Sequence, residues 1–233
     1  MRVEMAWEEQ PLPAWQRPTD GEHIFGVCVA IVVAIGLMLA LPPRISNKPH
    51  WLLPGIAVML LVVILMSARE VRLHTPHKAL RVVGIVLIGL LSLANASSGA
   101  RLVVDILRGE GLAADDNPTK LLLAGGAIWL TNVIVFAIWY WGADRGGAVQ
   151  RALATDPNPD LLFPQMQLDK PWTQDWEPEF VDYLFFSFTN AAAFSPTDVM
   201  PLARWAKLMM MGQAAISIML IVLVVADAVN TLN

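Results

Sequence analysis

The chain has 233 residues, of which 56% are hydrophobic and 15% are charged, and its formal net charge is −4. The apolar residues come in blocks and the mean hydropathy is +0.53, a composition that excludes an ordinary soluble globular domain and indicates an integral membrane protein. Because Cys28 is the one cysteine, an internal disulfide, a redox pair and a Cys-rich metal site are excluded as well.

The N-terminal polar segment, residues 1–23, carries five acidic residues before the first apolar block. It lacks the short basic region of a cleavable signal peptide, so we expect the first apolar block to be retained as a transmembrane helix. A four-helix transmembrane region is predicted over residues 24–141, with interruptions at prolines and charged loops. Its spans are Ile24–Leu41, Trp51–Met66, Val82–Leu107 and Leu121–Trp141.

The linker 142–179 is polar and rich in proline, so it is predicted neither to span the membrane nor to form a separate domain. The basic loop 67–81 contains His74 and His77, but Pro76 and the surrounding positive charge favour a plain basic loop over a metal site. We find no phosphate loop, nucleophile elbow or zinc-protease motif. The sequence therefore predicts no catalytic residue, no metal, no cofactor and no nucleic-acid partner.

The last segment, residues 180–233, begins with a helix that is too short to cross a bilayer. The run Phe180–Thr189 extends about 15 Å, roughly half of a hydrocarbon core. A break follows at Ser195 and Pro196, and non-helical backbone at membrane depth is tolerated only where it is buried in protein or lines a wet cavity.

A long apolar helix follows the break and is predicted to end near Asn230. Thr197 or Asp198 is predicted to cap this helix, with Pro201 in its first turn. The predicted fold class is an all-α membrane protein with about five transmembrane helices and one re-entrant half-helix. The alternative is six spans, in which the half-helix crosses the membrane.

Residues 183–204 resemble the pore of potassium channels. Tyr183–Thr189 resembles an aromatic-rich pore helix that ends in Ser-x-Thr, Phe194–Asp198 stands at the filter position, and Pro201–Arg204 is similar to the Pro-Leu-x-Arg start of the inner helix. The two filter glycines are absent and Pro196 fixes φ, so the usual ring of potassium-coordinating carbonyls is not encoded. The whole chain also resembles a group of uncharacterised bacterial membrane proteins that end in a similar segment.

These resemblances imply a multi-pass protein of the bacterial inner (plasma) membrane. They further imply a homo-oligomer, a tetramer by analogy, with a monovalent cation as the candidate permeant ion. The residues that would be pore-like or filter-like are Thr189, Asn190, Phe194, Ser195, Pro196, Thr197 and Asp198, and the polar residues of the inner helix would be Gln213 and Ser217.

The distribution of basic residues predicts the orientation. With the N-terminus inside, the inside loops hold eleven Lys and Arg residues and the outside loops hold five of the 16 in the chain, as the positive-inside rule favours. In this orientation the half-helix enters from the cytoplasm, the reverse of the potassium-channel arrangement.

Two functions from different classes are compatible with these patterns. The first is an oligomeric cation-conducting pore, in which a ring of Asp198 carboxylates would favour cations. The second is a non-conducting scaffold or regulatory protein, in which Ser195–Asp198 is a buried, capped turn. A membrane enzyme or transporter ranks last, because no nucleophile–base pair is visible.

Overall fold

The computed structural model describes residues 12–43, 45, 52–70, 78–111, 118–168, 171–192 and 198–231. Helices dominate these ranges, which confirms the predicted all-α class. The helices are α1 (Phe25–Ala40), α2 (Leu52–Glu70), α3 (Lys78–Arg108), α4 (Pro118–Ala143), α5 (Ala148–Ala152), α6 (Phe180–Ala192) and α7 (Arg204–Thr231), and two short strands, β1 (Leu161–Leu162) and β2 (Met200–Pro201), pair antiparallel.

Three helical stretches in the described chain are long and apolar enough to cross a membrane. They are Arg81–Arg108, Pro118–Gly146 and Arg204–Asn230. The helix α1 and the apolar part of α2, Leu52–Val62, are shorter. A membrane protein is therefore supported by helix length and composition, while the number of five spans stays a prediction.

The helix α4 is at the centre of the bundle, where it packs against α1, α3, α6 and α7. Its contact with α7 is especially close, because a Cβ placed on Gly125 would lie 2.8 Å from both methyl groups of Val224. Glycine at this position lets the two helix backbones approach each other, as small residues do at membrane helix interfaces.

The polar linker and the N-terminal segment fold together over one end of the bundle, which we call the cap end. The Ala14 amide donates to the Gln174 carbonyl at 2.7 Å, and the Thr19 amide donates to the Ala152 carbonyl at 2.9 Å. These contacts bring residues 12–23 against the linker, at the end where α4 finishes and α6 begins.

The segment from α6 to β2 begins and ends at this same end of the bundle. The first residue of α6, Phe180, packs its ring against Trp141 near the end of α4. Eight residues after α6 ends, Met200 pairs with Leu162 of β1 at the cap end. The helix α6 has 13 residues and is therefore about 20 Å long, so it ends inside the bundle.

The predicted start of the long terminal helix is wrong. This helix starts at Arg204, whereas Pro201 lies in β2 and Asp198 lies six residues before the helix, too far to cap it. The reason is tertiary: the Asp160 carbonyl accepts from the amides of Leu202 (2.9 Å) and Ala203 (3.2 Å), and the pairing with β1 keeps the preceding residues extended.

The half-helix is longer than predicted, since α6 continues three residues past Thr189 to Ala192. Alanine is the best helix former, which accounts for the extension. The predicted filter residues Phe194, Ser195, Pro196 and Thr197 lie outside the described residues.

Candidate functional site

Two carboxylates hold the N-terminal end of α6. The Asp182 carboxylate accepts from the Glu179 amide at 2.9 Å, as expected for an acid in the first turn. The Glu22 carboxylate accepts from the Phe180 amide at 2.7 Å and from Trp141 Nε1 at 2.8 Å. Glu22 therefore supplies a cap to a helix that begins 158 residues later in the chain.

A cluster of buried charges, which we call the cap cluster, lies at the cap end of the bundle. Asp144 accepts from the Tyr183 hydroxyl at 2.6 Å and, with its other oxygen, from the amides of Asp160 (3.2 Å) and Leu161 (3.3 Å). Arg151 donates to the Asp144 carbonyl at 3.1 Å and places its guanidinium 5.0 Å from the Tyr183 ring centroid. The hydrogen bonds of Asp144 and Arg151 compensate the burial of their charges, the condition under which buried charges are tolerated.

The sequence Asp144-Arg145-Gly146-Gly147 makes the sharp turn that points Asp144 inward. Gly147 has a φ of +103°, and a Cβ there would lie 2.9 Å from the Gly142 carbonyl oxygen. A side chain is therefore excluded at this position on both grounds. The Arg145 amide then donates to the Asp160 carboxylate at 2.8 Å, so the end of α4 is tied to the residue whose carbonyl meets the start of α7.

A network of neutral polar side chains lies deeper in the bundle and joins α4 to α6 and α7. We call the pair α6 and α7 the hairpin, and these side chains the hairpin network. Its centre is Gln213, which is fully buried. The Gln213 Oε1 accepts from the Tyr140 hydroxyl and from Asn190 Nδ2, both at 2.9 Å. The Gln213 Nε2 donates to the Ser187 carbonyl at 2.9 Å and to Ser187 Oγ at 2.7 Å.

Every hydrogen-bonding position of the Gln213 amide is thus occupied by a group of the same chain. The network extends outward through Ser187 Oγ, which donates to the Val133 carbonyl at 2.7 Å, and through Asn190, which also donates to the Met210 carbonyl at 3.1 Å. One turn deeper along α7, Asn132 Nδ2 donates to Ser217 Oγ at 3.3 Å. Such fully connected networks fix the relative rotation of the helices that carry them.

Of the sequence-predicted site residues that the structure describes, three lie together in the bundle interior, while Thr189 and Asp198 do not join them. Asn190, Gln213 and Ser217 face the interior of the bundle, with Asn190 and Gln213 in direct contact. The Thr189 hydroxyl is bonded to the carbonyls of Phe185 and Phe186 in its own helix, both at 3.0 Å. Asp198 is exposed near the cap end.

The sequence interpretation missed Tyr140, Ser187, Glu22 and Asp144. A signal was available, because the chain has two tyrosines, and a buried tyrosine usually needs a partner for its hydroxyl. Both tyrosines are fully buried here, and each donates to a polar side chain of the site.

The chemistry available differs between the two layers. The hairpin network contains amides and hydroxyls without a charged group, whereas the cap cluster contains charges that are bonded to one another and to the backbone. Among the residues that the structure describes, no group of three His, Cys, Asp or Glu side chains is placed to hold a metal ion. Comparison of the chain with family models, curated proteins and solved structures finds no match.

Proposed function

We propose that the chain is a multi-pass membrane protein that forms a cation-conducting, channel-like pore as a homo-oligomer. The observation that carries the proposal is the placement of α6 and β2. The helix α6 begins at the cap end, and β2, eight residues after α6 ends, lies at the cap end as well, so the C-terminal end of α6 lies within the bundle. In a membrane α6 would then be a re-entrant half-helix, with the cap end on the cytoplasmic side by the distribution of Lys and Arg.

The electrostatics of a half-helix end favour a cation. The last carbonyls of a helix have no partner within the helix and carry a partial negative charge. At membrane depth they need protein, water or an ion, and membrane transport proteins use such ends to bind cations. The segment that follows α6 contains the predicted filter-like residues Phe194 to Thr197, which we retain as candidates for the ion path, together with Asp198 at its mouth.

The outward faces of the hairpin support an oligomer. Phe185 of α6 is 60% exposed, and the apolar window of α7 is 22% buried within the chain, less than in the other two candidate spans. A second copy of the chain would cover these faces. A tetramer follows by analogy with potassium channels.

The second candidate function is a non-conducting membrane scaffold or regulatory protein. The observation that favours it is the hairpin network, in which the polar residues of α7 are bonded within one chain. The outward face of α7 is apolar, since every exposed residue between Leu208 and Val229 is apolar or glycine. In this case the polar groups serve to hold the hairpin in place, and no enzymatic chemistry is required of either candidate.

Reconstitution in liposomes decides between the two. The full-length protein, with its oligomer verified by cross-linking, is tested for flux of potassium, sodium and calcium. A pore predicts cation flux that falls in the Asp198→Asn variant and is retained in Asp156→Asn, a matched change at another exposed carboxylate of the cap end. If an intact oligomer passes none of these ions, the pore is excluded and the scaffold is favoured.

A further inference from the structure

The N-terminal residues 14–22 form a strap that crosses the cap. At one end, the Trp15 carbonyl accepts from the buried Arg145 guanidinium at 2.7 Å. In the middle, Arg17 pairs with Asp175 at 2.9 Å and the Thr19 hydroxyl donates to Glu177 at 2.8 Å. At the other end the strap finishes at Glu22, immediately before α1.

Glu22 joins the strap to the two helices that define the start of the hairpin. Its carboxylate receives the first amide of α6, from Phe180, and the indole N–H of Trp141 near the end of α4. Together these two bonds place the start of α6 against α4. Gly26, one turn into the bundle, lies against the Phe180 side chain, so the same residue of α6 is held both by a hydrogen bond and by packing.

We propose that the strap is a regulatory element of the hairpin, in which Glu22 is the positioning residue of α6 and its protonation tightens the strap. The proposal concerns the position of α6, so it holds whether or not the hairpin conducts ions.

The sign of the pH effect follows from the surroundings of Glu22. Burial raises the pKa of this carboxyl above its ordinary value of 4.5, and the nearby Glu179 raises it further, while the two hydrogen bonds and Arg151 lower it. A carboxyl with a raised pKa holds its proton more tightly when the strap is packed on the cap end than when the strap is released into solvent. Packing of the strap is therefore most stable below pH 4.5, and the stability that protonation contributes is lost as the pH rises through the raised pKa.

The protonated carboxyl can still serve both donors, because each of its oxygens keeps acceptor capacity. The titratable or charged groups around it come from three elements. They are His23 next to it in the chain, Glu177 and Glu179 ahead of α6, and Arg151 of α5. A test of the switch must separate Glu22 from these neighbours.

Hydrogen exchange of the full-length protein in detergent, followed by mass spectrometry from pH 4.5 to pH 8, provides that test. The readouts are a peptide that begins several residues before Phe180 and covers the start of α6, and the peptide of the strap itself. Comparing each variant with the wild type at the same pH cancels the intrinsic pH dependence of exchange. We expect Glu22→Ala to exchange at the start of α6 about tenfold faster than wild type at pH 5, since the hydrogen bond from the Phe180 amide is lost, and the ratio to shrink as the pH rises.

The variant Glu22→Gln keeps an acceptor and cannot ionise. The protection of wild type relative to Glu22→Gln should therefore fall progressively between pH 5 and pH 8. Thr19→Val, which weakens the strap elsewhere, and His23→Asn should both retain the pH dependence of wild type. A constant ratio of wild type to Glu22→Gln across this range overturns the protonation switch. Unchanged exchange in Glu22→Ala overturns the positioning role, and absence of ion flux affects neither readout.

Discussion

Replacement of Gln213 by leucine removes the centre of the hairpin network. Two of its partners keep another bond, because Ser187 Oγ still donates to Val133 and Asn190 still donates to Met210. The Tyr140 hydroxyl loses its acceptor while fully buried, which costs about 1–3 kcal/mol. With three further interhelical bonds lost, from Asn190 and to the Ser187 carbonyl and hydroxyl, at about 0.6 kcal/mol each, we expect the free energy of unfolding to fall by about 3–5 kcal/mol.

Unfolding in mixed micelles with increasing SDS measures this loss. Met211→Leu introduces the same side chain at an exposed position two residues earlier and should change stability by less than about 0.5 kcal/mol. Adding Tyr140→Phe to Gln213→Leu removes the orphaned hydroxyl and should recover about 1–3 kcal/mol. A loss no larger than that of Met211→Leu, or a further loss on adding Tyr140→Phe, would refute the assignment of Gln213 as the centre of the network.

Three further predictions use the same unfolding measurement. Gly125→Ala should destabilise the protein by about 1–3 kcal/mol, because its Cβ would meet Val224 of α7. The control Gly126→Ala, whose Cβ would have nothing within 4 Å, should be neutral or stabilising. Equal effects of the two changes would contradict the close packing of α4 on α7. Asp144→Ala should cost about 3–5 kcal/mol, since it removes the carboxylate that pairs with the buried Arg145 guanidinium at 3.8 Å and accepts from the buried Tyr183 hydroxyl. A loss below about 1 kcal/mol, the value of a surface ion pair, would argue against the buried cluster. Asn132→Leu should cost about 0.6–1.7 kcal/mol through the loss of its bond to Ser217 of α7. Asn95→Leu should be neutral or stabilising, because the buried Oδ1 of Asn95 has no hydrogen-bond partner. A larger loss of stability in Asn95→Leu than in Asn132→Leu would contradict this assignment.

The features of the fold that depend on local pattern could be predicted from the sequence. The sequence predicts a first apolar helix at Ile24–Leu41, and α1 spans Phe25–Ala40, because two prolines close a continuous apolar block. A short helix that starts at Phe180 is also predicted, and α6 begins there, while its re-entry into the membrane stays a prediction. Gln213 and Ser217 are predicted on the terminal helix, and because they are four residues apart they share one face of α7.

The features that depend on distant residues could not be predicted. The start of α7 is decided by strand pairing with Leu161 and Leu162 and by the Asp160 carbonyl, and nothing in residues 197–204 reveals that partner. The rotation of α7 about its axis is likewise set by Tyr140 and Ser187. Spacing shows that two side chains share a face and is silent on which neighbour that face meets.

The separation of Gln213 from its partners has a consequence for how the protein is made. Ser187 precedes Gln213 by 26 residues, so during synthesis the polar side of α6 is complete before its partner exists. At about 5–20 residues per second, the ribosome needs on the order of 1–5 s to supply it. During that time the Ser187 carbonyl and the side-chain amide of Asn190 lack their Gln213 partner. We therefore expect α6 to be retained at the insertion machinery or at the interface, and to be drawn to its final depth together with α7.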